Sequence, residues 1–231
     1  MKKTKRYYRY VAILFVMLIS LIGCSRGSQE GSIDPSGTGQ EPTSYPPMIM
    51  VDGILYKDTG YIDNCVKCGT ENGRIRSSVF GTQMPNKDDQ SNFGRGYSYQ
   101  YTGNKGYINV LIDKKWHIFQ SLDIEQNTMP DQVAHFTAEV KEVAEDRLLV
   151  YVTDIPQEFA WIFQDAALDQ IKPIALSAED LEKRTDKKGS TDGLVGKKVE
   201  VWFDGSLKGD EPERSDPIEL GRTYRIEVLD E

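Results

Sequence analysis

The chain has 231 residues, with 36 acidic against 28 basic side chains and a net charge of −8. That balance repels polyanions and excludes nucleic-acid binding by phosphate neutralisation. The length suits one large domain or two small ones.

The first 24 residues form an address. Lys2, Lys3, Lys5, Arg6 and Arg9 make a basic head, and Val11 to Ile22 an apolar run broken only by Ser20. The run falls short of the roughly 20 apolar residues of a membrane span. It stops at Leu21-Ile22-Gly23-Cys24, which resembles the lipobox of bacterial lipoproteins. The resemblance implies cleavage after Gly23 and a lipid on the sulfur of Cys24. Cleavage removes five basic residues and no acidic one, so the mature chain carries 23 basic against 36 acidic side chains, net −13. An anionic membrane repels such a chain as a whole, so the lipid is expected to anchor it. Residues 24–45 are rich in Ser, Gly, Glu and Pro, with Ile33 as the one aliphatic side chain before Tyr45, a flexible stalk by composition.

Residues 46–122 read as a small β domain. Two short apolar runs, Met48 to Val51 and Ile54 to Tyr56, flank Asp52-Gly53, the pair that favours a tight hairpin. Asn86 to Gly96 reads as a turn-rich surface loop; its oxygens alternate, but its register fails a calcium loop of the EF-hand type. Tyr97, Tyr99 and Tyr101 alternate with polar residues and share a predicted strand face. The strands Tyr107 to Ile112 and Trp116 to Phe119 follow around Asp113-Lys114, completing a meander. Residues 123–132, polar and ending near Pro130, suit a linker.

Residues 133–231 restart the alternation. Phe136 to Val143 and Arg147 to Val152 flank a Glu145-Asp146 turn, and Gln157 to Ile171 holds aromatics packed over a sheet. Pro173 to Leu176 reads as a strand, and Ser177-Ala-Glu-Asp180 as a capping box opening a short helix to Lys183. After the charged loop 186–196 come the strands Lys198 to Phe203 and Thr223 to Leu229, separated by Asp204-Gly205 and a proline-bearing loop. About five strands, with one short helix between the third and fourth, follow the element order of an OB-like barrel. The expected fold is therefore all-β: a small meander or sandwich-like domain, then an OB-like barrel domain with one short helix.

Chemistry is sparse. Cys65-Val-Lys-Cys68 offers two thiols that suit a local disulfide, a metal or redox exchange; outside the cytoplasm the disulfide is favoured. The two histidines are His117 and His135, of which His117 lies in the strand nearer the thiols. Tyr97, Tyr99, Tyr101 and Trp116 are candidates for a sugar- or peptide-binding surface, although such a stripe commonly forms a core face. There is no Gly-x-Ser-x-Gly, no His-Glu-x-x-His and no phosphate-binding glycine loop. The residues therefore point to no catalytic apparatus and no cofactor.

Residues 46–119, through Pro-Pro-Met-Ile-Met-Val-Asp-Gly, Gln90-Ser-Asn-Phe-Gly94 and Gly-Tyr-Ser-Tyr-Gln-Tyr, resemble a small β domain of uncharacterised lipoproteins of Clostridia-like Gram-positive bacteria. Similar modules are appended outside the membrane to sensors of the β-lactam-responsive metallopeptidase type. Residues 133–231, through Leu-Leu-Val-Tyr-Val and Val-Glu-Val-Trp-Phe-Asp-Gly, resemble the OB-like domain of secreted proteins of unknown function. An envelope stress lipoprotein with a Cys-x-x-Cys barrel and an OB-like domain supplies a further architectural analogy. These resemblances imply location and architecture. The expectation is a lipid-anchored extracytoplasmic binding or interaction module without catalysis, its partner an envelope protein or glycan. The alternative is an envelope metal or redox sensor working through Cys65 and Cys68.

Overall fold

The computed structural model describes residues 44–65, 70–104, 106–125, 129–182, 191, 193–209, 211 and 215–229. The expected signal peptide, Cys24 and Cys68 lie outside the described residues. No helix among the described residues is long and apolar enough to cross a membrane. The fold is all-β, with two curled sheets.

The first sheet is built on the hairpin of β1 (Met48–Val51) and β2 (Ile54–Ile62). Asp52 and Gly53 both take positive φ, 51° and 74°, which closes a two-residue turn in register with the strand twist. β3 (Gly73–Arg74), β4 (Ser77–Ser78) and β5 (Gln90–Ser91) are two-residue strands; β6 (Ser98–Tyr101), β7 (Tyr107–Ile112) and β8 (Lys115–Ser121) form the expected meander. The sheet runs β3-β6-β7-β8-β2-β1-β5-β4. Its two edge strands are therefore neighbours in sequence. Residues 73–78 pair with β6 on one side and β5 on the other, and Ile75, fully buried, sits between them. This strap ties the two sheet edges together over a core of Ile49, Val51, Tyr56, Ile75, Tyr99, Ile108, Val110 and Phe119.

The second sheet contains β9 (His135–Ala144), β10 (Arg147–Asp154), β11 (Ile174–Ser177), β12 (Lys198–Phe203), β13 (Ile218–Glu219) and β14 (Thr223–Val228). The order is β13-β11-β10-β9-β12-β14, with β13 parallel to β11 and the remaining neighbouring pairs antiparallel. Leu181, just beyond β11, bridges Ile226 of β14 in parallel, which curls the sheet so that the β11 side meets β14. This is the strand order of an OB-like half-barrel, wrapped around Phe136, Leu148, Phe159, Ile174, Val201 and Phe203.

Three local expectations change. The capping box at Ser177 opens only a single 3-10 turn, Ala178–Asp180: the Ser177 hydroxyl accepts from Glu179 N–H, but Leu181 turns extended to make its bridge, which ends the helix. The longer helical piece is instead the 3-10 helix Gln157–Phe163. The surface loop around Asn86 is buried in its middle, at Gln90, Ser91 and Asn92, the first two of which form β5. Three of its side-chain oxygens are taken up by bonds within the sheet. Asn92 Oδ1 accepts from Met48 N–H and Asp88 Oδ1 from Gly53 N–H, while Asp89 Oδ1 accepts from the Tyr99 hydroxyl.

Candidate functional site

The strand register separates the proposed aromatic platform. Tyr99 pairs with Val110, and Val110 with His117, so these three share one face; Trp116, paired with Leu111, lies on the other. Tyr99 is buried and Tyr97 packs on Phe93, with ring centroids 5.4 Å apart. Tyr101 is exposed and donates its hydroxyl to Asp52 Oδ2 at 2.6 Å, and that bond, with some burial, pushes its pKa up to about 12. Tyr101 thus pins the turn of the first hairpin, and Tyr99 the loop at Asp89. The tyrosines form no single surface with Trp116.

Trp116 instead lines a groove of about 390 Å³ with Ile62, Asp63, Asn64, Cys65, Lys115, Trp161, Asp204 and Ser206. The groove lies where the two sheets meet. Its first wall is aimed by a bulge in β2: the register slips between Asp58 and Ile62, Gly60 takes φ +78°, and Thr59 Oγ1 donates to Ile118 C=O at 2.7 Å. A bulge bends its strand. The chain then leaves the sheet as Asp63 and Asn64, with Asp63 N–H donating to Trp116 C=O at 2.8 Å.

Asp63 is buried and holds the start of the cysteine loop. Its Oδ1 accepts from Cys65 N–H at 2.9 Å and its Oδ2 from Asn109 Nδ2 at 2.6 Å. Asn109 is fully buried, and its Oδ1 has no hydrogen-bond partner among the described residues. Cys65 is half-buried against the core of the second sheet.

Asn64 is the clasp between the sheets. Its Nδ2 donates to Asp204 C=O at 3.1 Å, its Oδ1 accepts from Ala134 N–H at 3.1 Å, and its N–H donates to Gln132 C=O at 2.9 Å. Gly205, at φ +73°, lies so close that a Cβ there would collide with Asn64 Nδ2. Asp204 resists burial through its own partners: desolvation opposes its charge, but hydrogen bonds from Ser206 and Arg222 and the nearby Lys115 hold its carboxyl below the usual value. Lys115 Nζ approaches Asp204 Oδ2 at 3.4 Å across the groove. A small core of Ile118, Val133 and Trp202, flanked by Tyr61, Met129 and Tyr224, backs this junction.

Trp161 forms the far wall. In the 3-10 helix, Phe159 and Ile162, three apart, turn into the core, while Trp161 remains 47% exposed. Of the residues singled out from sequence, the structure brings Cys65 and Trp116 together here. His117, on the opposite face from Trp116, has a buried Nδ1 without a partner among the described residues, and burial lowers its pKa. Sequence reading missed Trp161, Asp204, Lys115 and Asn64 as partners in one site. The Phe159–Ile162 spacing carried a signal for Trp161; the other three meet only through the fold.

A second cavity, of about 290 Å³, lies between the β9–β10 turn and the loop around β13. Arg147 and Lys208 reach Glu219 at 3.3 and 3.7 Å on its wall, which Asp146 and Asp180 also line. Among the described residues, no group of three or more His, Cys, Asp or Glu is placed to hold a metal ion. Comparison of the chain with protein-family models, curated proteins and solved structures finds no match.

Proposed function

We propose that the protein is a lipid-anchored binding module outside the cytoplasm, without catalysis, that holds an envelope glycan or protein segment in the groove between its two sheets. The observation that carries this reading is the pair of tryptophans. Trp116 from the first sheet and Trp161 from the 3-10 helix over the second line one groove, beside the Lys115–Asp204 ion pair. Two indole faces offer stacking area at low conformational cost, and the flanking charges and Asn64 provide orientation. The anchor rests on the Leu21-Ile-Gly-Cys24 motif.

The test is a fluorescence titration with two defined probes, chitotetraose and a wall stem peptide. Saturable quenching or enhancement that is lost in both Trp161→Ala and Trp116→Ala supports the groove. Saturable binding unaffected by either substitution, or no binding of either class, counts against it.

The position of Cys65 in the same groove favours a second reading, an envelope redox or metal sensor working through Cys65 and Cys68. Cys65→Ser with Cys68→Ser separates the two. A binding module keeps its ligand in that variant, whereas a sensor loses a stoichiometric metal or its response to oxidant.

A further inference from the structure

Residues 71–89 carry three basic side chains, Arg74, Arg76 and Lys87, against three acidic ones, Glu71, Asp88 and Asp89, and so are neutral within a chain of net charge −8. In this stretch the turn after Val79 presents Phe80 at 79% and Met84 at 44% exposure. Tyr45, 41% exposed, is pinned to the same turn. Its N–H donates to Gly81 C=O at 2.9 Å, and the Ser44 hydroxyl reaches the same oxygen at 3.3 Å. Pro46 and Pro47 are exposed beside it. Arg76 and Arg74 contact Asp89 and Glu71 at 3.2 and 3.5 Å, yet their side chains stay 82% and 63% exposed.

Tyr45, Phe80 and Met84, exposed around one turn of balanced charge, form an apolar patch of the kind that enters the interfacial layer of a bilayer. The position of the patch in the chain identifies the occupant. Nineteen residues lie between Cys24 and Ser44, and the patch begins at that junction. A Ser- and Gly-rich chain of that length averages roughly 25 Å end to end, so the tether holds the patch at high effective concentration over the membrane. A contact too weak to recruit a free protein is then sufficient. Resting on the lipid-anchor reading, we infer that Tyr45, Phe80 and Met84 seat the first sheet, by apolar contact, on the phospholipid surface that holds Cys24.

Hydroxyl-radical labelling of the lipidated protein in vesicles of equimolar phosphatidylglycerol and phosphatidylcholine, read by mass spectrometry, tests this. Tyr45, Phe80 and Met84 should label severalfold more slowly on vesicles than after the protein is shaved off by proteolysis within residues 25–43. Tyr151 and Trp161, similarly exposed on the second sheet, should not change. In Phe80→Ser with Met84→Ser, the protection of Tyr45 should disappear while Tyr151 and Trp161 label as before. Equal labelling on and off vesicles overturns the inference. Protection that survives shaving and grows with protein concentration also overturns it, making the face a contact between copies. The mass of the Cys24 peptide is read in the same experiment; an unlipidated Cys24 removes the tether and overturns the anchor reading together with this one.

Discussion

Gly205 shows how much of the junction rests on one missing methyl. Its positive φ and its contact with Asn64 allow Asp204 to present its carbonyl to Asn64 and its carboxylate to Lys115. Gly205→Ala should cost about 1–3 kcal/mol through strain and lost clasp bonds; urea unfolding of the variant measures it, and an unchanged midpoint contradicts the close approach. His117 gives a pH signature. Burial lowers its folded pKa below the ordinary 6.5, so above that pH both folded and unfolded chains hold it neutral, and below it the unfolded chain binds the proton more readily. Stability should therefore fall as pH drops from 6.5 towards the folded pKa, and His117→Gln should flatten that window in unfolding curves measured at stepped pH. At this scale the sequence was partly legible. Asp52-Gly53 identified its turn, and Cys65 and Trp116 were singled out. The use of Asp88, Asp89 and Asn92 as internal caps was hidden, because their partners Gly53, Tyr99 and Met48 are brought to them only by the folded sheet.

Long alternating runs declared themselves as strands: β7, β8, β9, β10 and β12 lie within a residue or two of the expected positions. The two-residue strands β3, β4, β5 and β13 could not be read, since a pair of residues has no periodicity and is strand only by virtue of its neighbours. The capping box misled for a related reason. Its local chemistry formed, but the long-range bridge from Leu181 to Ile226 outcompeted further helical turns. The strap at residues 73–78 is the element whose loss should matter most to the first sheet. Ile75→Ala removes its fully buried anchor and should destabilise by about 2–5 kcal/mol, with hydrogen exchange rising first in β3, β4 and β5. Destabilisation without local loosening of those strands would mean that the strap does not close the sheet.

At the scale of the whole molecule, the order of the second sheet was legible because five strands and their connections constrain an OB-like barrel closely. The meeting of the two sheets was not. Asn64, Ala134 and Asp204 are separated by up to 140 positions, and no pattern in the chain announces their contact. Yet that junction creates the groove and brings one tryptophan from each half to its walls. The chain holds three tryptophans, Trp116, Trp161 and Trp202, and the third is 8% exposed, covered by Arg225 at 5.2 Å from its ring. The indole N–H resonances of these three, followed by NMR during titration with chitotetraose and the wall stem peptide, report directly on where a ligand sits. Binding in the groove predicts saturable shifts of Trp116 and Trp161 at one common affinity with Trp202 unmoved. A saturable shift confined to Trp202, or binding that leaves all three in place, would contradict it.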